Sequence, residues 1–252
     1  MSKVLALIPA RIGSKGVSEK NLLKIGNFSL VERALFTAIG CKSVNRIIVS
    51  SESNKVINIV NNYGNYAPFT RPYDLAADES GSLEVIKNAL IWAEKKDKLK
   101  YDFIVLLEPP SPFRLPIHIE QSLLLAKNKQ ASSVMSIIEV GDYHPVRMKK
   151  MNDDGLLAAY GEKEPDGLRR QDQSPVYIRN SAVYIFTREN IYENILWGEK
   201  SYGYLMDSDI YSINIDEPID VITAKAFYNK MKRDKNDLSK IEFIPLNKDF
   251  QK

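Results

Sequence analysis

Cysteine is nearly absent from this 252-residue chain. Cys41 stands alone, so no disulfide framework can staple the fold. Long apolar runs are absent too: the longest stretches, residues 4–10 and 103–107, fall far short of the roughly 20 residues that span a bilayer. Neither sign of charge predominates. The formal net charge is +3, too little to argue for a nucleic-acid partner, so basic residues matter only where they cluster. No internal repeat or low-complexity segment is present. No basic segment followed by a long apolar stretch opens the chain, so a cytosolic location with no membrane partner is expected. What is there, 44% apolar and 27% charged residues, is the composition of a soluble globular protein long enough to bury a large core.

Within that composition, residues 4–8 (VLALI) form a continuous apolar run ending at Pro9, and residues 46–50 (RIIVS) and 101–107 (YDFIVLL) repeat it. Such runs are the pattern of strands buried on both faces, as in a parallel sheet. Between them, Val31, Ala34, Leu35, Ala38 and Ile39 follow helical spacing, as do Val56, Ile59, Val60 and Tyr63. Residues 82–95 and 116–128 read as further helices. Strands alternating with helices predict an α/β fold with a doubly wound, mostly parallel sheet, whose ligands bind beyond the carboxyl ends of the strands. The positions after Ile8, Ser50 and Leu107 are therefore where chemistry is sought.

From residue 141 to about 180 the rhythm breaks. Asp153-Asp154-Gly155 and Pro165-Asp166-Gly167 mark turns, and residues 142–180 read as an inserted arm. The α/β pattern returns at residues 182–186 and 213–215, before a helix that opens at Pro218. The expected organisation is a domain over residues 1–232 carrying the arm, then a charged tail over 233–252 that frays or packs briefly.

The strongest local signal lies directly after the first strand. Residues 9–21, PARIGSKGVSEKN, combine two glycines with Arg11, Lys15 and Lys20. Glycines let the backbone turn its N–H groups toward an anion, and three cations on one loop make a phosphate cradle; the alternative is a solvated loop with incidental lysines. Neither the GxxxxGK(S/T) phosphate loop nor the GxGxxG dinucleotide fingerprint is present, which disfavours a dinucleotide oxidoreductase.

Extended to Ile8, this loop resembles the I-P-A-R-x-G-S-K-G-x-x-x-K-N signature of the acylneuraminate cytidylyltransferases, the CMP-sialic acid synthetases. The likeness continues in register over roughly residues 3–231. Residues 71–76 (RPYDLA) resemble R-P-x-x-L-A, and residues 106–114 (LLEPPSPFR) resemble L-L-Q-P-T-S-P-x-R. Residues 169–172 (RRQD), followed by Tyr177 and by residues 180–184 (NSAVY), resemble R-R-Q-D and N-G-A-x-Y; residues 213–216 (INID) resemble I-D-I-D. The resemblance implies transfer of a cytidylyl group from CTP to the anomeric hydroxyl of an acidic nine-carbon sugar, with Mg²⁺ as cofactor. Arg11 and Lys20 would hold the triphosphate, with Ser14, Lys15 and Gly16 shaping the loop. Asn21, Arg71 and Ser82 would contact the nucleotide, and the backbone leading into Ala10 would help select the base. Arg71 has a second reading as a surface residue held by Asp74. Arg147, Arg170, Gln171, Asn180 and Tyr184 would bind the sugar, arginine being suited to a bidentate grip on its carboxylate. For Arg169 and Arg170 a solvated arm is the alternative. His144 would orient the arm; His118 has no evident role.

Two positions depart from the pattern. Asn214 replaces the first acidic residue of I-D-I-D, leaving Asp216, and Glu108 stands where a glutamine is usual. Set against the metal-binding acid that the resemblance implies, the acidic charge is expected to have moved: Glu108 and Asp216 would hold Mg²⁺, with Asn214 lending an amide oxygen. The alternatives are that Asp216 caps the helix opening at Pro218 and that Glu108 meets a substrate amine or hydroxyl. Ser181 replaces the glycine of N-G-A and would narrow the sugar pocket. Relatives that activate legionaminic, pseudaminic or 3-deoxy-manno-octulosonic acid, some using GTP in place of CTP, share most of these motifs. An inactive nucleotide-binding paralogue is a further alternative, favoured by Asn214. The arm implies a homodimer, with Trp197, Tyr202 and Tyr204 packing either there or in the core.

Overall fold

A computed structural model describes residues 2–13, 16–77, 81–206, 209–233, 238–246 and 249. The elements in chain order are β1 (Val4–Pro9), β2 (Lys24–Ile25), β3 (Phe28–Ser29), α1 (Leu30–Gly40), β4 (Arg46–Ser50), α2 (Asn54–Asn61) and α3 (Ser82–Asp97). Then come β5 (Phe103–Leu106), α4 (Pro116–Lys129), β6 (Ser133–Glu139), β7 (Lys149–Met151), β8 (Leu157–Ala159), β9 (Tyr177–Thr187), α5 (Arg188–Tyr192), β10 (Ser201–Leu205) and α6 (Pro218–Arg233). Six strands form one sheet in the order β10-β6-β9-β5-β1-β4. Only β9 runs against its neighbours; β1 is parallel to both β4 and β5, and β10 is parallel to β6. The expected mostly parallel α/β sheet is what forms.

The apolar run of β1 is the reason it lies inside the sheet. Val4, Ala6 and Ile8 turn to one face, against Ala34, Leu35 and Ala38 of α1, Val56 and Val60 of α2 and Ile119 and Leu123 of α4. Leu5 and Leu7 turn to the other, against Val85, Ile86, Ala89 and Leu90 of α3. Period-two alternation in the strand thus meets helical stripes on both sides. Trp197 packs in the second cluster, edge-on to Tyr184 and tilted against Phe186, and Tyr202 and Tyr204 pack against the first.

Residues 213–215 make no strand, contrary to expectation. They run as irregular chain, with the Ile215 N–H donated to the Pro110 carbonyl (2.9 Å) and the Ile215 side chain buried beside Phe113. The strand at that edge of the sheet is β10, whose residues alternate between exposed and half-buried because only one of its faces is covered. The turns at Gly155 and Gly167 form with positive φ, +82° and +72°, and Gly155 closes the β7–β8 hairpin. Residues 177–180, assigned to the arm from sequence, open β9, and residues 177–179 pair with β6. His144 accepts from the Val146 N–H and lies 3.0 Å from the Ser174 carbonyl, tying the two ends of the arm.

His118 has a role after all. It sits in the first turn of α4, where its Nδ1 accepts the Leu115 N–H at 3.1 Å and its ring stacks edge-on against Tyr211 at 4.5 Å. Burial, reinforced by the charge of Arg114, pushes its pKa down from 6.5 to about 4. The folded state therefore resists a proton that the unfolded state takes up. Stability from this group is complete above the unfolded pKa near 6.5 and is lost as pH falls from there through about 4, on the order of 3 kcal/mol in all. Denaturant midpoints measured across that window should fall more steeply for the native protein than for His118→Gln.

Candidate active site

The loop after β1 is fastened by hydrogen bonds from both directions. The Ala10 N–H donates to the Ser50 carbonyl (2.9 Å), the Ile12 N–H to Glu52 Oε1 (2.7 Å), and Asn21 Nδ2 to the Arg11 carbonyl (2.7 Å). Asn21 is buried, and its Oδ1 has no partner in the protein. Gly16 lies so close to the chain at Asp216 that a Cβ there would sit 2.1 Å from the Asp216 carbonyl oxygen. Ser14 and Lys15 lie outside the described residues.

Arg71 is not a surface residue held by Asp74. It is 4% exposed; Nε donates to Ser50 Oγ (3.0 Å) and Nη2 to the Ser50 carbonyl. Burial lowers its pKa, the nearby Arg11 charge pushes the same way, and Glu52 opposes them. Glu52, missed from sequence, thus holds the loop at Ile12 and counters the charge of Arg71. Its place two residues beyond β4, at a carboxyl strand end, was the available signal.

Carboxylates face this cationic side. Glu108 follows β5, and its carbonyl accepts from Arg114 Nη1 (3.1 Å), which also donates to the Ala182 carbonyl (2.6 Å). Arg114 is wholly buried, and desolvation lowers its pKa to about 9 against the pull of Glu108. Burial raises the Glu108 carboxyl above its ordinary range and Asp216 adds to the rise, while the Ser181 hydroxyl and the charges of Arg114 and Arg179 oppose it. Asp216 pairs with Lys20 Nζ at 2.8 Å. It does not cap α6: Asp220 does so, its Oδ2 accepting from the N–H groups of Asp216 (2.9 Å) and Glu217 (2.8 Å). That reach-back from the first turn leaves the Asp216 side chain to the cleft. Asn214 turns its amide nitrogen to Asp216 and its oxygen toward Ser111 Oγ (3.4 Å), so the amide oxygen expected on a metal is directed elsewhere.

These groups enclose a cavity of about 520 Å³, lined by Arg11, Gly16, Lys20, Asn21, Arg71, Ser82, Glu108, Ser181, Asn214 and Asp216, with Pro9, Leu75 and Val85 among its apolar surfaces. Its volume is that of a small-ligand site. Nine residues expected to act together are thus brought together from positions spread across the sequence. Ala10 is not among them: it is fully buried, and Pro9 lines the cleft in its place.

The expected sugar binders do not converge in the same way. Asn180 is buried, and its carboxamide is engaged by Ser136 Oγ (2.6 Å), the Tyr211 carbonyl (2.9 Å) and Met206 sulfur, so it supports the sheet rather than facing the cleft. Tyr184 lies behind the cleft wall, its hydroxyl 3.1 Å from Ser181 Oγ. Arg147, paired with Asp142 at 3.5 Å, and the exposed Gln171 are on the arm and do not line the cleft. The side chain of Arg170 lies outside what the structure describes. Among the described residues, no group of three or more His, Cys, Asp or Glu side chains gathers as a metal cage; the acidic donors in the cleft are Glu108, Asp216 and, at its rim, Glu217.

Compared with known proteins, residues 5–232 match the Cytidylyltransferase family. The chain is 30% identical over 219 residues to the CMP-N,N'-diacetyllegionaminic acid synthase of Legionella pneumophila subsp. pneumophila, covering 86% of this chain and 93% of that protein. It is 29% identical over 241 residues to the N-acylneuraminate cytidylyltransferase of Escherichia coli O18:K1:H7, covering 94% of this chain and 55% of that protein; it spans about half the length of that relative. Among solved structures, a CMP:2-keto-3-deoxy-manno-octonic acid synthetase complexed with CTP has the same fold, with a TM-score of 0.64 at 16% identity over 91% of this chain and 99% of the other.

Proposed function

The chain belongs to the Cytidylyltransferase family, and from that premise we propose that it transfers the cytidylyl group of CTP to the anomeric hydroxyl of a nonulosonic, sialic-type acid. The observation that carries this reading is the meeting of Arg11, Lys20 and Arg71 with Glu108 and Asp216 in one cleft at the carboxyl ends of β1, β4 and β5. The sugar hydroxyl oxygen attacks the α-phosphorus and gives up its proton to solvent, a new P–O bond forms, the bond to the β-phosphate bridge breaks, and pyrophosphate leaves. Such chemistry asks the protein for alignment and for cations where charge gathers. Arg11 and Lys20 hold the triphosphate, Asn21 and Ser82 contact the nucleoside half, and Arg71, rigid on Ser50, completes that wall.

The cofactor in this reading is Mg²⁺. Glu108 and Asp216 fit it: both are oxygen donors lining one cleft, and the Asp216 charge disfavours that of Glu108, which a bound divalent cation would relieve. They would hold the ion, which when bound offsets phosphate charge. Asn214 is not part of the set. The arm joins two copies into a homodimer, an assignment supported by the exposed Tyr143, Met151, Leu156, Leu157 and Tyr160 that it carries; a monomeric mass by light scattering would count against it. A cytosolic location goes with CTP as the substrate.

Within nonulosonates, a legionaminic-type acid is favoured over N-acetylneuraminate, because the Legionella relative matches along nearly its whole length. The test is pyrophosphate release from CTP, GTP, ATP or UTP with a panel of acidic sugars, with and without Mg²⁺. CTP with a nonulosonate should be the productive pair. Glu108→Gln and Asp216→Asn should each raise the Mg²⁺ concentration for half-maximal rate by about tenfold or more. A preference for GTP, or full Mg²⁺-dependent turnover in both variants, would defeat the respective assignment; CTP binding without release under every sugar would leave a nucleotide-binding paralogue.

A further inference from the structure

Ser181 is unusual within its strand. Its φ is +58°, a left-handed conformation that side-chain-bearing residues seldom adopt. The cause is a bulge. The β6–β9 register passes from Met135↔Tyr184 to Ile137↔Arg179, so Ser136 alone opposes residues 180–183. Ser136 Oγ fills that gap, donating to Asn180 Oδ1 (2.6 Å) and accepting from the Val183 N–H (2.8 Å). Bulges re-aim side chains, and this one sends Ser181 out of the ladder to the wall of the cleft beside Glu108.

The hydroxyl there is held from one side: Oγ lies 3.1 Å from the Tyr184 hydroxyl, and either oxygen can be the donor. In that contact Ser181 either accepts the Tyr184 proton or gives its own to Tyr184. A serine hydroxyl has one proton and two acceptor positions, so whichever way that bond runs at least one acceptor position is left. The strand order separates the two ends of the cleft. Arg11 follows β1 and Arg71 is anchored on Ser50 at the end of β4, whereas Glu108 follows β5 and Ser181 belongs to β9, on the other flank of β1. The cations gather the triphosphate at the first end, leaving the second for the acceptor.

We infer that Ser181 is a specificity-determining residue for the acceptor: its hydroxymethyl group fills space that glycine would leave open, and its remaining acceptor position selects an acidic sugar presenting an N–H or O–H donor to this wall. An acylamino or hydroxyl substituent has that chemistry. The costly backbone conformation agrees with this, because glycine would adopt it without strain and only the hydroxyl gives a reason to keep serine. The inference rests on the CTP-dependent reading above.

The test uses the full chain, with Ser181→Gly and Ser181→Ala, at saturating CTP and Mg²⁺. The probes are N,N'-diacetyllegionaminate, N-acetylneuraminate and 3-deoxy-manno-octulosonate. Both variants should raise KM for the preferred sugar about tenfold and compress the kcat/KM ratio between sugars by about fivefold, the loss of one ligand hydrogen bond. KM for CTP should stay within about twofold, and Ser181→Gly should melt no lower than the native protein because its backbone strain is relieved. Unchanged sugar KM and ratios in both variants would overturn the inference. So would a parallel rise in both KM values with a lowered Tm, the mark of a purely structural residue. If the native protein releases pyrophosphate with no sugar at all, the functional reading itself fails and this inference falls with it.

Discussion

Gly16→Ala is expected to lower kcat/KM for CTP by about 10²-fold or more, with Tm moved by only a few degrees. A methyl group on Gly16 would stand 2.1 Å from the Asp216 carbonyl oxygen and 3.2 Å from its carbon. These are backbone atoms whose neighbours are anchored: Asp220 holds the Asp216 N–H, and Ile215 is buried with its N–H on Pro110. They cannot swing aside as a side-chain tip would, so the loop must lift instead. Lifting separates Lys20 from Asp216, now 2.8 Å apart, and takes a cation from where phosphate charge accumulates. Lys20→Ala is the companion variant. It removes the cation without moving the loop, so it should cost a comparable factor in rate, and the Gly16→Ala, Lys20→Ala double variant should lose far less than the product of the two. Pyrophosphate release and CTP titration calorimetry read both effects. Gly16→Ala activity within about threefold of native would show that the loop does not need this close approach.

Glu242→Ala is expected to destabilise the fold by about 3–5 kcal/mol, roughly 10 °C in Tm. Glu242 pairs with Arg33 of α1, and both side chains are almost wholly shielded, at 6% and 4% exposure. The remaining guanidinium donors reach the carbonyls of Pro112 (2.8 Å), Ile25 (3.0 Å) and Ile241 (2.9 Å), between the rings of Phe113 and Tyr228. Burial lowers the Arg33 pKa and Glu242 holds it up. Without the carboxylate, a buried cation is left uncompensated. An Arg33→Met, Glu242→Leu double variant should recover much of the loss, since burying the pair carries its own desolvation cost. Thermal melts of the three variants decide this. A single-variant loss below about 1 kcal/mol would mean that water reaches the guanidinium and takes over from Glu242. The described part of the tail therefore packs rather than frays. It also buttresses the site, because Pro112 belongs to the loop that carries Glu108.

Much of this was legible in the chain itself. The run at residues 4–8 marked a two-faced buried strand, the spacing from Val31 to Ile39 marked a helix, and strand alternation with helices pointed the search to Arg11, Lys20 and Glu108; the family resemblance added Arg71 and Asp216, and all five line one cavity. The misses have one character. Residues 213–215 look like a strand because they alternate, yet among the described residues they pair with no strand. Ser201–Leu205 alternates too and is a strand because β6 offers its edge. Asp216 and Asp220 are equally acidic and both close to a helix start, and nothing short-range says which of the two caps it.

Short-range physics is written along the chain: side-chain periodicity, turn chemistry and the preference of glycine for tight bends act between residues a few positions apart, and they determined the strands flanking β1, the helices that cover them and the cationic loop. Pairings across long separations are not written there. Lys20 meets Asp216 from 196 positions away and Arg33 meets Glu242 from 209, and which carboxylate reaches which cation depends on how layers pack after both ends are in place. The bulge that swings Ser181 into the cleft and turns Asn180 away from it is likewise a property of two strands in register, so only the folded sheet could assign those residues.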